Sequence, residues 1–120
     1  MLFKLLKCKI HRATVTQADL NYVGSITIDR NLMDAVGLLP NEAVIVANLH
    51  NGTRHTTYAI PGPAGSGIIC INGAAARLVN VGDIVLVLAF AYLTPEEAAK
   101  HKAKVAIVGE GNTIKEVITY

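Results

Sequence analysis

Apolar and polar positions alternate along much of this chain with a period of two, the spacing of strands that bury one face. Phe3 to Val15 is rich in β-favouring residues. Fully extended, it sets Lys7, Lys9 and His11 on one face and Leu6, Cys8 and Ile10 on the other. Thr16 to Asn21 is polar and reads as a loop. Ser25 to Asp29 alternates Ser, Thr and Asp against Ile26 and Ile28, so a half-buried strand begins at Ser25. A short helix over 32–36 follows, capped by Asp29 or Asn31 and ended by Gly37 and Pro40. Glu42 to His50 and Thr53 to Ile60 are strands joined by Asn51-Gly52, a strong hairpin signal.

Pro61 to Gly67 reads as a loop unable to join a central strand, because proline lacks the ladder donor. Ile68 to Ile71 is a short buried strand, and Asn72 to Arg77 a turn opening a helical turn. Ile84 to Tyr92 has the near-continuous apolar character of a strand buried on both faces. Thr94-Pro95-Glu96-Glu97 is a capping box that opens a helix to about Lys102. Ala103 to Val108 is a further strand, Gly109 to Asn112 a turn, and Thr113 to Tyr120 extended or frayed. Many short strands with few helices predict a mainly β fold, closed or nearly closed into a barrel.

The 120 residues fit one domain spanning 1–120, and no linker, repeat or low-complexity segment divides them. A hydrophobic fraction of 52% is high for so small a chain, so part of that surface is expected to lie between subunits. A net charge of +2 and the absence of Trp argue against nucleic acid or a membrane as partner. Cys8 and Cys70 form neither a C-x-x-C pair nor a metal cluster, which fits reduced core thiols and no metal. Lysines interrupt the apolar N-terminus and the longest apolar run is too short to span a bilayer, so a soluble, cytoplasmic protein is expected.

Gly24-Ser25 carries the most distinctive chemistry. The Ser25 hydroxyl can fold back onto the Gly24 carbonyl; a twisted peptide there could rearrange to an ester, eliminate and leave a pyruvoyl ketone at residue 25. Most Gly-Ser pairs are plain turns, and Gly65-Ser66 in the flexible loop serves as the control. Arg54 offers a planar fork for a carboxylate and shares strand parity with Tyr58. The small residues after Asn72 leave backbone N–H groups open to an anion, or simply start an Ala-rich helix packed on the barrel. The row Lys7, Lys9 and His11 is either a solvated face or an anion receiver.

Five blocks resemble the aspartate 1-decarboxylase family in order and spacing. They are Lys7-Cys8-Lys9-Ile10-His11-Arg12-Ala13-Thr14-Val15-Thr16, Leu20 through Asp29 around Gly24-Ser25, Asn51-Gly52 with Arg54, Thr57-Tyr58, and Asn72-Gly73-Ala74-Ala75-Ala76-Arg77. The resemblance covers roughly residues 1–108 and leaves the tail from Gly109 without a role. It implies a double-psi β-barrel, a homotetramer with sites between subunits, and self-cleavage into chains 1–24 and 25–120. It implies a pyruvoyl group made from Ser25, no metal, and Schiff-base decarboxylation of L-aspartate to β-alanine and CO2 for pantothenate biosynthesis.

By the same resemblance Tyr58 is the proton donor, although a strand aromatic on the barrel would serve the fold equally. Thr57 polarises the Gly24 carbonyl during self-cleavage. Lys9, Arg54, Thr57 and the backbone of Gly73, Ala74 and Ala75 bind substrate, while His11, Tyr22 and Asn72 line the site. Alternation points Thr57 away from Arg54 and Tyr58, so either the strand bulges there or Thr57 acts from its own face on a neighbouring subunit's loop. The competing class is a non-enzymatic barrel that holds an anionic ligand on the lysine face and keeps Gly24-Ser25 whole. A pyruvoyl enzyme for another amino acid, such as glutamate, is the third.

Overall fold

A computed structural model describes residues 1–120. Nine strands alternate with a few short helical turns. The first five strands are β1 (Phe3–Thr14), β2 (Gln17–Asp19), β3 (Ser25–Asp29), β4 (Ala43–Asn48) and β5 (Arg54–Gly62). The others are β6 (Ile69–Asn72), β7 (Ile84–Leu93), β8 (Lys104–Val108) and β9 (Ile114–Thr119). Helices α1 (Arg30–Val36) and α2 (Pro95–Lys100) and the 3-10 turns Gly73–Leu78 and Glu110–Asn112 complete the chain.

The strands form one sheet in the order β2-β6-β3-β5-β4-β7-β1-β8-β9. β1 runs almost directly into β2, so one stretch of chain stands at both ends of the ladder from β6 to β7. Thr16 N–H donates to the Ile69 carbonyl at 2.8 Å and Val15 N–H to that of Asp83 at 2.8 Å, joining the seam. The sheet therefore closes into a barrel of mixed sense, with parallel pairs β1/β8, β2/β6 and β3/β5. This mainly β architecture is compatible with the double-psi barrel expected from the sequence.

Inward-facing residues of β1 and β3 to β8 meet in one core that includes Ile10, Ile26, Ile28, Val46, Ile71 and Val87. Each such side chain contributes about 1.5–3 kcal/mol relative to exposure. Leu32, Met33 and Val36 on α1 close one end of that core. Asp29 is the cap: its Oδ1 accepts from Asn31 N at 2.8 Å and from Gly65 N at 3.0 Å, and its Oδ2 accepts from Gly67 N at 2.8 Å. Three backbone donors thus satisfy a buried carboxylate. Gly37 ends the helix with φ +75°, a left-handed conformation that favours glycine.

Four sequence expectations change. Leu6 does not share a face with Cys8 and Ile10, because Lys7 is the extra residue of a bulge: Leu6 pairs with Phe90 while Cys8 pairs with Ala89. Lys7 turns aside to an ion pair with Glu42 at 2.7 Å, and a second bulge takes up His11 and Arg12, so the basic row is not one continuous face. β7 buries only one face in a single chain, its residues alternating between buried and half-exposed. Pro61 and Gly62 extend β5 beyond its pairing with β4 and lie against β3 alone, so the missing proline donor leaves no gap on the open side. The tail takes the extended one of its two expected forms, β9 pairing antiparallel with β8.

The capping box at Thr94 is present, with Glu97 N–H donating to Thr94 Oγ1 and Thr94 N–H to Glu97 Oε1. No helix is long and apolar enough to cross a membrane.

Candidate active site

Ser25 opens β3 and is 1% exposed. It stands directly across the antiparallel β3/β6 ladder from Asn72, whose Nδ2 donates to Ser25 Oγ at 2.9 Å and to Thr27 Oγ1 at 3.1 Å. Gly24, one residue earlier, is exposed, and a side chain built on it would meet nothing within 4 Å. The peptide joining Gly24 and Ser25 thus runs from open surface into a buried, hydrogen-bonded strand. The control pair differs: Ser66 is exposed and its hydroxyl donates to the Pro63 carbonyl at 2.6 Å, closing a local turn. Burial and a long-range donor set Ser25 apart from Ser66.

Gly73 begins the 3-10 turn after β6 with φ +75°. A Cβ there would lie 2.8 Å from Gly24 Cα and 3.3 Å from the Tyr22 carbonyl oxygen. The Asn72-Gly73 step therefore grips the Gly24-Ser25 junction from two directions, by a side-chain donor and by close backbone packing. Ala74 is exposed and Ala75 half-buried, and Tyr22 is exposed beside the same junction.

β5 flanks β3 on its other side, with Ile26 in register with Ala59 and Thr27 with Ile60. Continued one step back, this parallel register sets Tyr58 beside Ser25, on the face Ser25 shares with Thr27. Arg54 and Thr56 share that parity. Arg54 is exposed, with one hydrogen bond, from its Nη1 to the Gly52 carbonyl at 3.4 Å. The β4/β5 pairing runs from Tyr58 to Arg54 without a register shift, which removes the bulge as an explanation for Thr57. Thr57 is half-buried, opposite buried Val44, on the other face from Tyr58.

One chain does not bring all the expected residues together. Lys9 and His11 lie on β1, and β5, β4 and β7 stand between β3 and β1 in the sheet. Counted that way round the closed barrel, four strand spacings lie between them and Ser25. Lys9 is half-buried and in register with Leu88, in a row that continues through Ile45 to Thr56. His11 Nδ1 has no hydrogen-bond partner, and burial, then Lys9 and Arg12, hold its imidazole below the usual range. His55 Nε2 is likewise unpartnered, and burial lowers that ring too.

Two residues of the Ser25 face were absent from the sequence-level site. Thr27 and Cys70 are cross-strand partners, each two positions from Ser25 or Asn72. Cys70 Sγ donates to Asn72 Oδ1 at 3.1 Å. Strand parity around Ser25 and Asn72 pointed to both, once their strands were known to pair. Asn112, in the tail left without a role, is also engaged. Its amide donates to the Thr14 and Gly67 carbonyls and accepts from Thr14 N, which ties the tail to β1.

These features meet a consistent set of relatives. The aspartate decarboxylase family model matches residues 1–115. The chain is 58% identical to the aspartate 1-decarboxylase of Clostridium acetobutylicum over 120 residues, all of this chain and 94% of that protein. It is 59% identical to that of Caldicellulosiruptor saccharolyticus over 114 residues, covering 95% of this chain and 89% of the relative. The Bacillus subtilis aspartate 1-decarboxylase is 54% identical over 114 residues, with 95% and 90% covered. The similarity thus runs past about residue 108, where the resemblance read from the sequence stopped, into the β8/β9 hairpin. With Gly24-Ser25, Arg54, Tyr58 and Asn72-Gly73 set on adjoining strands, the chain belongs to the aspartate decarboxylase family.

Proposed function

We propose that this chain is a self-processing aspartate 1-decarboxylase that releases CO2 from L-aspartate and leaves β-alanine. The observation that carries the reading is the buried Ser25 hydroxyl, held by Asn72 at the end of an exposed Gly24 peptide. In self-cleavage Ser25 Oγ bonds to the Gly24 carbonyl carbon, the C–N bond breaks, and the hydroxyl proton passes to the freed nitrogen. Loss of the Ser25 Cα proton expels Gly24 as a carboxylate, and water then replaces the nitrogen, which leaves as ammonia. The result is a chain 1–24 and a chain 25–120 that begins with a pyruvoyl ketone.

The residues around position 25 suit that group. Asn72 offers donors to an oxygen there, Gly73 keeps the approach free of side chains, and Tyr58 stands in the next register position. A pyruvoyl group supplies an electron sink for the carbanion left when CO2 departs. Arg54, exposed and without an acidic partner, is placed to hold the carboxylate that aspartate keeps. Tyr58 returns a proton to the substrate Cα. Thr57 acts from its own face, toward the Gly24 carbonyl of a neighbouring copy.

Lys9 and His11 reach a Ser25 site in trans, which supports a homotetramer with sites between subunits. Exposed Leu2, Phe3 and Tyr92, together with the half-exposed face of β7, supply apolar surface for that assembly. Purified protein should decarboxylate aspartate faster than glutamate and at least 10²-fold faster than alanine, which lacks the second carboxylate. Equal turnover of aspartate and alanine would remove Arg54 from substrate recognition.

A further inference from the structure

Ser25, Thr27, Cys70 and Asn72 form a square of cross-strand pairs, Ser25 opposite Asn72 and Thr27 opposite Cys70. The Asn72 amide sits at its centre of bonding. Its nitrogen serves both hydroxyls, at 2.9 and 3.1 Å, and its oxygen accepts from Cys70 Sγ at 3.1 Å. All of Ser25, Cys70 and Asn72 are buried, so no bulk water competes for these groups.

An amide has two ends that fill nearly the same space. Rotated by half a turn, Asn72 would present its oxygen to Ser25 and Thr27. Ser25 would then donate its hydroxyl hydrogen to that oxygen, holding the proton that must leave. In the observed orientation Ser25 Oγ accepts, its own hydrogen stays available for transfer, and the N–H opposes the negative charge that grows on Oγ during attack. Something must select between the two orientations. The thiol favours one of them, because its S–H donates to an amide oxygen, whereas toward an amide N–H₂ the sulfur is only a weak acceptor.

We propose that Cys70 is a positioning residue for self-cleavage, orienting the Asn72 amide so that its N–H faces Ser25. This inference rests on the processing reaction proposed above, and Cys70 touches none of the reacting atoms. Burial, then the nearby Asp19 charge, push the Cys70 thiol above its usual range, which keeps the S–H donor in place at neutral pH.

The test follows cleavage of freshly synthesised chains over time on denaturing gels, for wild type, Cys70→Ala and Cys70→Ser. Cys70→Ala is expected to cleave about tenfold more slowly, the scale of one lost hydrogen bond in a transition state. Cys70→Ser restores a donor and should cleave within about twofold of wild type. Melting temperatures are measured alongside, and Cys70→Val, which fills the site without a donor, repeats the comparison if the alanine variant folds poorly. Wild-type cleavage in both Cys70→Ala and Cys70→Val, or a serine variant as slow as alanine, overturns the role. A wild-type chain that never cleaves overturns the processing reaction itself, a separate result.

Discussion

Gly73 packs its bare Cα against Gly24 so closely that a single added methyl would stand 2.8 Å from the Gly24 Cα. Both the contact and the positive φ of Gly73 exclude a side chain. Gly73→Ala is expected to cost about 1–3 kcal/mol, the range for a non-glycine residue held in the left-handed region. Because the displaced atoms belong to the processing junction, self-cleavage should slow as well. Thermal melting and a cleavage time course check the two effects, and wild-type values in both would contradict the contact.

Tyr58→Phe separates processing from turnover. Tyr58 stands beside Ser25 in the continued β3/β5 register, and the proposed attack of Oγ on Gly24 does not use its hydroxyl. The variant should therefore be cut normally and decarboxylate about 10²-fold or more slowly, the usual worth of a general acid. The measurements are intact mass and CO2 release on one preparation. Turnover at the wild-type rate would leave Tyr58 as a strand aromatic only.

The elements set by local chemistry were legible in the sequence. Asn51-Gly52 forms its turn, Thr94 and Glu97 cap each other, and Asp29 starts α1 because these signals act within a few residues. Ser25 begins its strand as expected, but that strand is buried on both faces rather than half-buried, because Asn72 and the loop amides at Gly65 and Gly67 satisfy its polar side. What stayed hidden depends on partners far along the chain. The bulge at Lys7 is defined by β7, more than 80 residues away in the sequence, and it moves Leu6 to the other face. Pro61 fits a strand only because β4 has ended beside it. The Ser25–Asn72 bond joins residues 47 apart, so no spacing rule announces it.

The two lowered histidines give a pH signature. Burial holds His55 below its ordinary 6.5, and burial with Lys9 and Arg12 does the same to His11. The unfolded chain therefore binds more protons near pH 6 than the folded one, so stability is full above that ordinary value and falls as the pH drops through the folded-state values. Hydrogen bonds from Asn48 to Asp83 and from Thr94 to Glu97 also lower carboxylates, but those titrate in a more acid range. The melting temperature should fall between about pH 7.5 and pH 5.5, and His55→Gln should shrink the difference. A wild-type melting temperature that is flat across that interval would contradict the half-buried, unprotonated rings.

Intact mass spectrometry of the purified, catalytically active protein tests the conversion of Ser25 most directly. The expected result is two chains divided between Gly24 and Ser25, the larger lacking a free α-amine, alongside a single uncut and inactive chain for Ser25→Ala. Active protein that keeps the bond whole, or a Ser25→Ala variant that still divides there, would contradict it.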